Sequence, residues 1–426
     1  MFLPSALFLA SISLLAHLTT SQAQQLLPLP SGRDYNVTIS HLHFHSPSSP
    51  DPYHPDPTAG RHVMISVFYP LRKNICSGRC YPAYMPNATA VVSGAQFFGS
   101  QQNDSRIFEN IKFQACCGVK QGNMTNPTAY PVVVIEPNVG TTRFLYGAIA
   151  QEIASQGYVV VTVDHPYDSS IVELDPGSGS ENSTALKKVE LDPFVAMNPW
   201  NATVTKAFNT RLSDLEIVTT SLRNYTILQS AGLNTTLIPI PQNAAFNTLP
   251  ANTNIIGHGL GGSISTYLST LPSTPSPYLA ANSSVYINLA GTPPLIPSDT
   301  YAPILFFGLS PGFRREDSPH WNASWPHFRG DATEWDLFPG QIYDYSDLPL
   351  ILNITSSEYP GARDMVRGVG PVGGKVGMKV AWEVTTKWVW AYLGLSWEWK
   401  GRASVERRLN EFVGEYQGVM RTYPRV

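Results

Sequence analysis

Asn254-Ile255-Ile256-Gly257-His258-Gly259-Leu260-Gly261-Gly262 carries the lettering of a nucleophile elbow, G-x-S-x-G, with glycine where the serine should stand. Such a turn lifts an oxygen nucleophile between a buried strand and a helix, for attack on an acyl carbon. The reaction also needs a base to take the proton and an acid to orient that base. Gly259 has no side chain, so the attack has no starting atom there.

Other residues could do chemistry nearby. Ser263 and Ser265 follow the elbow within the first turn of its helix; with Asp299 and either His320 or His327 they form a possible relocated triad in an allowed chain order. The competing reading of Ser263 is a local backbone hydrogen bond. His258 reads as a shaping residue rather than a base. Asp164, His165 and Asp168 end an apolar strand, where ligand contacts concentrate in open α/β sheets, and bracing of the loop is the expectation. His41, His43 and His45 alternate on one strand face, which reads as a solvated face rather than a metal site because no carboxylate or cysteine completes the set. Trp388, Trp390, Trp397 and Trp399 read as packing residues of a closing helix, with an aromatic belt on a lipid surface as the alternative.

The elements that must position these groups follow from periodicity. His62 to Tyr69 alternates like a half-exposed antiparallel strand, and Pro131 to Ile135 is apolar throughout, like a strand buried on both faces. Thr142 to Gln156 has helical spacing and Tyr158 to Val163 is a second buried strand, so the pair forms a βαβ crossover and a parallel sheet. Residues 24–426 read as one α/β domain, with a polar cap or lid insertion at about 174–250 that holds a helix over Ala207 to Arg223. Further expectations are a helix over Gly261 to Leu271, strands over Ser284 to Leu289 and Pro303 to Leu309, and closing helices over Lys379 to Leu395 and Ala403 to Val419.

Residues 1–23 carry an apolar run ending Ser21-Gln22-Ala23, the pattern of a cleaved signal peptide, and no later stretch is long enough for a membrane span. Eleven acceptor sequons, at Asn36, Asn87, Asn103, Asn123, Asn182, Asn201, Asn224, Asn234, Asn282, Asn322 and Asn353, fit a secreted glycoprotein. The four cysteines, Cys76, Cys80, Cys116 and Cys117, read as two disulfides joining the 76–80 loop to the 116–117 segment, since vicinal cysteines bridge poorly to each other. A zinc site is the alternative, against the usual ligand spacing. A formal charge of −3 and the lack of a basic cluster argue against nucleic acid as a partner.

Met64-Ile65-Ser66-Val67-Phe68-Tyr69-Pro70, Tyr84-Met85-Pro86, Arg143-Phe144-Leu145-Tyr146, Gly157 through Asp168 with its Asp-His-Pro-Tyr-Asp block, the elbow, and Tyr345 through Leu350 together resemble the secreted platelet-activating-factor acetylhydrolases, above all their fungal relatives. The resemblance implies an α/β-hydrolase fold: a mostly parallel central sheet with helices on both faces, and cofactor-free cleavage of short or oxidised acyl chains from phospholipids. It places the serine at Gly259, the acid at Ala290 and the base at Ile342, so all three triad positions are degenerate. The oxyanion-hole donors it implies are the backbone N–H groups of Val139 and Leu260. No histidine follows His327, which leaves the C-terminal region without a base in any register. The expectation is an acetylhydrolase-like protein that does not hydrolyse esters and binds a lipid-like or apolar ligand in the former acyl pocket. The alternative is an active ester hydrolase or phospholipase using Ser263 with His320 or His327.

Overall fold

The computed structural model describes residues 24–99, 103–120, 126, 130–174, 185–186, 191–195, 200–241, 243–246, 253–271, 285–330, 332–370 and 420–423, with isolated positions at 383, 386, 393, 407 and 411. The expected signal peptide, the sequons at Asn123, Asn182 and Asn282, the four C-terminal tryptophans and nearly all of the closing helices lie outside the described residues.

The nine strands of the main sheet are β1 (Tyr35–Pro50), β2 (Gly60–Arg72), β3 (Val132–Glu136), β4 (Val159–Asp164), β5 (Thr253–His258), β6 (Tyr286–Leu289), β7 (Ile304–Leu309), β8 (Ala332–Leu337) and β9 (Met420–Tyr423). They lie in the order β9-β8-β7-β6-β5-β3-β4-β2-β1. Pairing is parallel from β4 through β8 and antiparallel at β1/β2, β2/β4 and β8/β9. The sheet is thus mostly parallel with antiparallel margins, the α/β-hydrolase arrangement.

Strands β3 to β7 are buried along their whole length because helices cover both faces. Strand β2 departs from the half-exposed expectation: it is buried from Val63 through Leu71, since covering elements lie on both of its faces. The helix expected over 142–156 begins as a 3₁₀ turn at Arg143–Tyr146, capped by Thr142, and continues as α2 (Gly147–Ala154). The helices that bear on the site are α1 (Asn87–Phe98), α3 (Ala202–Leu222), α4 (Tyr225–Ser230) and α5 (Leu260–Ser269). The cap helix starts earlier than its apolar spacing suggests, because the Asn201 side chain accepts the Val204 N–H at 2.9 Å and fixes the first turn there.

Cys76 is bonded to Cys116 and Cys80 to Cys117, stapling the Cys76–Cys80 and Ala115–Val119 ribbon. This is the pairing between segments that the spacing predicts. No described helix is long and apolar enough to cross a membrane.

Candidate catalytic site

Strand order reverses between β3 and β5: β4 lies on the far side of β3 and β6 on the far side of β5. The carboxyl ends of these two central strands define the crevice where open α/β sheets bind ligands. Asn138 follows β3 there, and Gly259 follows β5.

Gly259 sits between β5 and α5 at φ 55, ψ −119, a backbone conformation that costs a side-chain-bearing residue about 1–3 kcal/mol. The turn is packed tightly: a Cβ on Gly261 would come within 2.3 Å of the Glu136 carbonyl oxygen. A Cβ on Gly259 would lie 1.8 Å from Asn138 Oδ1 and 2.4 Å from its Cγ. The space that a nucleophile would enter is therefore held by the Asn138 amide.

That amide is fixed on every side. Its Oδ1 accepts the Val139 N–H at 2.9 Å and, more weakly, the Leu260 N–H at 3.4 Å. These are the two backbone donors that the family resemblance implies for an oxyanion hole, and they converge on one protein oxygen. Asn138 Nδ2 donates to the Pro193 carbonyl at 2.9 Å and to the Tyr343 hydroxyl at 3.2 Å. A flipped amide would set its NH₂ against two N–H donors, so the orientation is determined by its partners. The backbone N–H of Asn138 donates to the Tyr146 hydroxyl at 3.0 Å, and that hydroxyl lies 2.7 Å from His258 Nδ1. Burial lowers the His258 pKa to about 3, against a smaller opposing effect of the Ile342 backbone, so the ring stays neutral and packs edge-on to Tyr343.

Ala290 follows β6, is buried, and takes a positive φ of 52; its N–H donates to the Phe307 carbonyl at 2.7 Å. Ile342 opens a 3₁₀ turn after β8 and packs against the core. The three positions named from the sequence thus stand at the ends of β5, β6 and β8, and none offers a titratable group. Beside Val139, among the described residues, lies a void of about 10 Å³ bordered by Leu191, Tyr167 and Ala207. That is room for about one water molecule and not for an acyl chain.

The relocated residues do not assemble. Ser263 is buried and donates to the Thr292 carbonyl at 2.6 Å, and Ser265 to the Ile255 carbonyl at 3.2 Å. His327 Nδ1 lies 3.1 Å from Asp299, whose other oxygen takes Arg329, and the His320 ring rests beside Trp200. Among the described residues no hydrogen bond joins Ser263 to either histidine.

The Asp-His-Pro-Tyr-Asp block braces the crevice. His165 lies between Glu136 at 2.9 Å and Asp214 of α3 at 2.8 Å. Burial lowers its pKa, but the Glu136 charge and the hydrogen bonds to both carboxylates outweigh it and raise the value to about 9. Arg61 clamps Asp214 and Asp51, and Arg211 of α3 binds Asp168 and the Pro137 carbonyl. Asp164 pairs with Arg143. Asp347 accepts the Tyr84 hydroxyl and the Ala148 and Ile149 N–H groups, which joins two of the matched sequence stretches to the first turn of α2 at one carboxylate. Of the alternating histidines His45 is exposed, as a solvated face requires, while His41 and His43 are half-buried: His41 is bonded to Ser66 and packs edge-on to Phe144, and His43 and His45 contact His62. No group of metal-binding side chains occurs among the described residues.

Asn138, Tyr343 and Arg211 escaped the sequence reading. Only the place of Asn138, two residues after β3 in Pro137-Asn138-Val139-Gly140, hints at a role, since the loop after that strand supplies a hole donor.

The family model for platelet-activating factor acetylhydrolase, isoform II, matches residues 55–189, from the approach to β2 through β4, and stops short of the elbow. A probable 1-alkyl-2-acetylglycerophosphocholine esterase of Arthroderma benhamiae is 31% identical over 155 residues, which make up 35% of this chain; the chain spans 39% of that relative's length. The solved structure of a ferulic acid esterase from Streptomyces cinnamoneus superposes with a TM-score of 0.61 at 20% identity, over 87% of this chain and 92% of that one, a likeness of fold. Over residues 55–189, which carry the strands and loops on one side of the crevice, the chain is similar to the platelet-activating factor acetylhydrolase isoform II family, on a scaffold with the fold of an esterase.

Proposed function

We propose that this protein is a secreted, N-glycosylated, non-catalytic member of that family that binds a lipid-like ligand. The observation that carries the non-catalytic reading is Asn138 Oδ1, which accepts the Val139 and Leu260 N–H groups where a nucleophile and its oxyanion would meet. Gly259, Ala290 and Ile342 supply no nucleophile, acid or base. With the hole occupied, even the residual ~10³ to 10⁴ of rate that a hole and binding alone can give has no site. The contacts of Ser263 do not support a relocated nucleophile.

The lipid-like ligand is inferred from the family, whose relative is named for a glycerophosphocholine ester. Two disulfides and exposed sequons at Asn87, Asn201, Asn224, Asn234 and Asn322 fit export through an oxidising compartment. Asn201 and Asn224 cap helices through Oδ1, which leaves Nδ2 for a glycan. Residues about 174–250 remain assigned as a cap, with α3 bound to the sheet by the buried ion network.

The test is a fluorophosphonate probe read by intact mass after deglycosylation, beside a short-chain ester assay. No adduct and no turnover are expected. An adduct on any serine together with turnover would sink the non-catalytic reading.

A further inference from the structure

No more than two basic residues adjoin anywhere in the sequence, yet the fold gathers a basic cluster. Strands β1 and β2 pair with Tyr35 opposite Arg72, and the Lys73 N–H donates to the Asp34 carbonyl at 3.0 Å, which draws the approach to β1 and the exit of β2 together. Arg33, Asp34, Tyr35, Arg72, Lys73 and Asn74 line one open pocket there, of about 480 Å³. That lies within the range of small-molecule sites. The pocket is remote from the elbow: Met64 of β2 stands opposite Asp164 at the crevice end, and Arg72 is eight residues further along, roughly 26 Å at about 3.3 Å per residue.

Its lining is charged in one direction. Three cations stand beside one carboxylate, a surplus of two positive charges in a chain whose formal net charge is −3. Arg33, Arg72 and Lys73 are exposed, and among the described residues none of them is in an ion pair. The walls are held in place by their neighbours. Lys73 Nζ donates to the Gly32 carbonyl at 3.1 Å, which fixes the ammonium and leaves its other two N–H donors for a ligand. The Arg72 guanidinium lies beside the Tyr130 hydroxyl, and the Tyr130 ring meets Tyr35 edge-on at 5.7 Å. Tyr35 in turn lies against Gly157, where a Cβ would come within 3.1 Å of its ring. Lys120 Nζ donates to the Asn74 carbonyl at 2.6 Å, which sets a fourth cation next to the lining. Residues 121–129, between Lys120 and Tyr130 in the chain, hold no charged side chain that could cancel it.

Like charges gathered round one open pocket repel one another, and an anion that enters relieves the repulsion. A monoanion would leave one surplus charge in place. Guanidinium forks and an ammonium together match tetrahedral oxyanions. The Asp34 carboxylate in the lining disfavours a flat anionic surface pressed over the whole pocket and tolerates a compact ligand that turns away from it. We infer that this pocket binds a compact polyanion carrying two or more linked phosphate or sulfate groups, held by Arg33, Arg72 and Lys73. The site is independent of the crevice and of the proposed lipid-like ligand, so either reading can fail alone.

The experiment uses the full chain with its glycans in place, since the Asn36 sequon directly follows Tyr35. Calorimetry at low salt takes inorganic tripolyphosphate and a trisulfated disaccharide as the two sources of linked oxyanions. Orthophosphate is the single-group arm, and phosphatidylserine vesicles are the flat surface. One polyanion per chain is expected, with orthophosphate roughly tenfold or more weaker, and the tighter of the two polyanions identifies the source. Binding should weaken as salt rises. Arg72→Gln and Lys73→Gln, both at exposed positions, should each weaken the polyanion roughly tenfold with an unchanged melting temperature. Asp34→Asn should tighten it, and Lys206→Gln, elsewhere on the surface, should leave it unchanged. No binding of either polyanion, equal affinity for orthophosphate, indifference to both glutamine substitutions, weaker binding by Asp34→Asn, or binding to vesicles alone would each overturn the site. Binding seen only after glycan removal would overturn it as well.

Discussion

A serine introduced at 259 meets two obstacles, a positive-φ backbone and the Asn138 amide 1.8 Å from its Cβ. Seating it means expelling Asn138 from both N–H donors, at about 1 kcal/mol for each lost bond on top of about 1–3 kcal/mol of backbone strain. Gly259→Ser is therefore expected to lower unfolding stability by about 3 kcal/mol in urea titration and to yield no fluorophosphonate adduct. Adding Asn138→Gly should return part of that loss, with a coupling of about 1–2 kcal/mol in the double-mutant cycle. The combination of Gly259→Ser, Ala290→Asp and Ile342→His should stay silent while Asn138 is present, and turnover should first appear when Asn138→Gly is added. Turnover by the three changes alone would show that the amide is no barrier. The elbow was legible because its glycines and apolar run are local. The Asn138 contact with Leu260 was not, since it joins residues 122 apart and looks like any loop asparagine until the fold closes.

At the scale of elements, α3 is bound to the sheet by charges rather than grease alone. Arg211 is fully buried and spans Asp168, the Pro137 carbonyl and, at 3.7 Å, Glu136. Arg211→Met keeps the length and removes the charge, leaving Asp168 without its counterion. Breaking one partner of a buried pair costs about 3–5 kcal/mol, and that loss is expected in denaturant unfolding. Faster amide exchange along α3 than in β5 should accompany it, whereas uniform exchange would mean that the network does not hold this helix in particular. The same contrast explains what the sequence disclosed. Strands β3, β4 and β5 were legible from unbroken apolar runs. Strand β8 was missed because Glu334 and Asp336 interrupt its pattern, yet both are buried, Glu334 against Arg315 at 2.8 Å. Burial of β2 on both faces was equally hidden, because alternation in sequence does not reveal what later packs on the second face.

Across the whole molecule, buried groups with displaced pKa values set opposing limits on stability. Burial holds His41 and His258 at about 3, and burial with the neighbouring imidazoles holds His62 at about 4, each below the 6.5 of an unfolded histidine. These three contribute stability in the neutral form, lost as pH falls from 6.5 toward those values. His165 runs the other way: its folded value near 9 gives stability that is complete below 6.5 and disappears as pH rises through 9. Asp344 and Asp347, raised by burial to about 6 and about 7 from 3.8, bind a proton in the folded state and lose that advantage as pH climbs through those values. Near pH 5 the unfolded chain holds the three extra histidine protons against two on the folded carboxyls, so stability rises with pH. Near pH 7.5 the folded chain holds the surplus through His165 and part of Asp347, so stability falls. The maximum is expected at about pH 6.5, where the two surpluses cancel. His165→Gln should lower the maximum and flatten the alkaline limb while leaving the acid limb its slope, in urea unfolding between pH 5 and 9. An alkaline limb unchanged by that substitution would mean that His165 is not the charged centre of the α3 network, and the raised pKa assigned to it would fail with it.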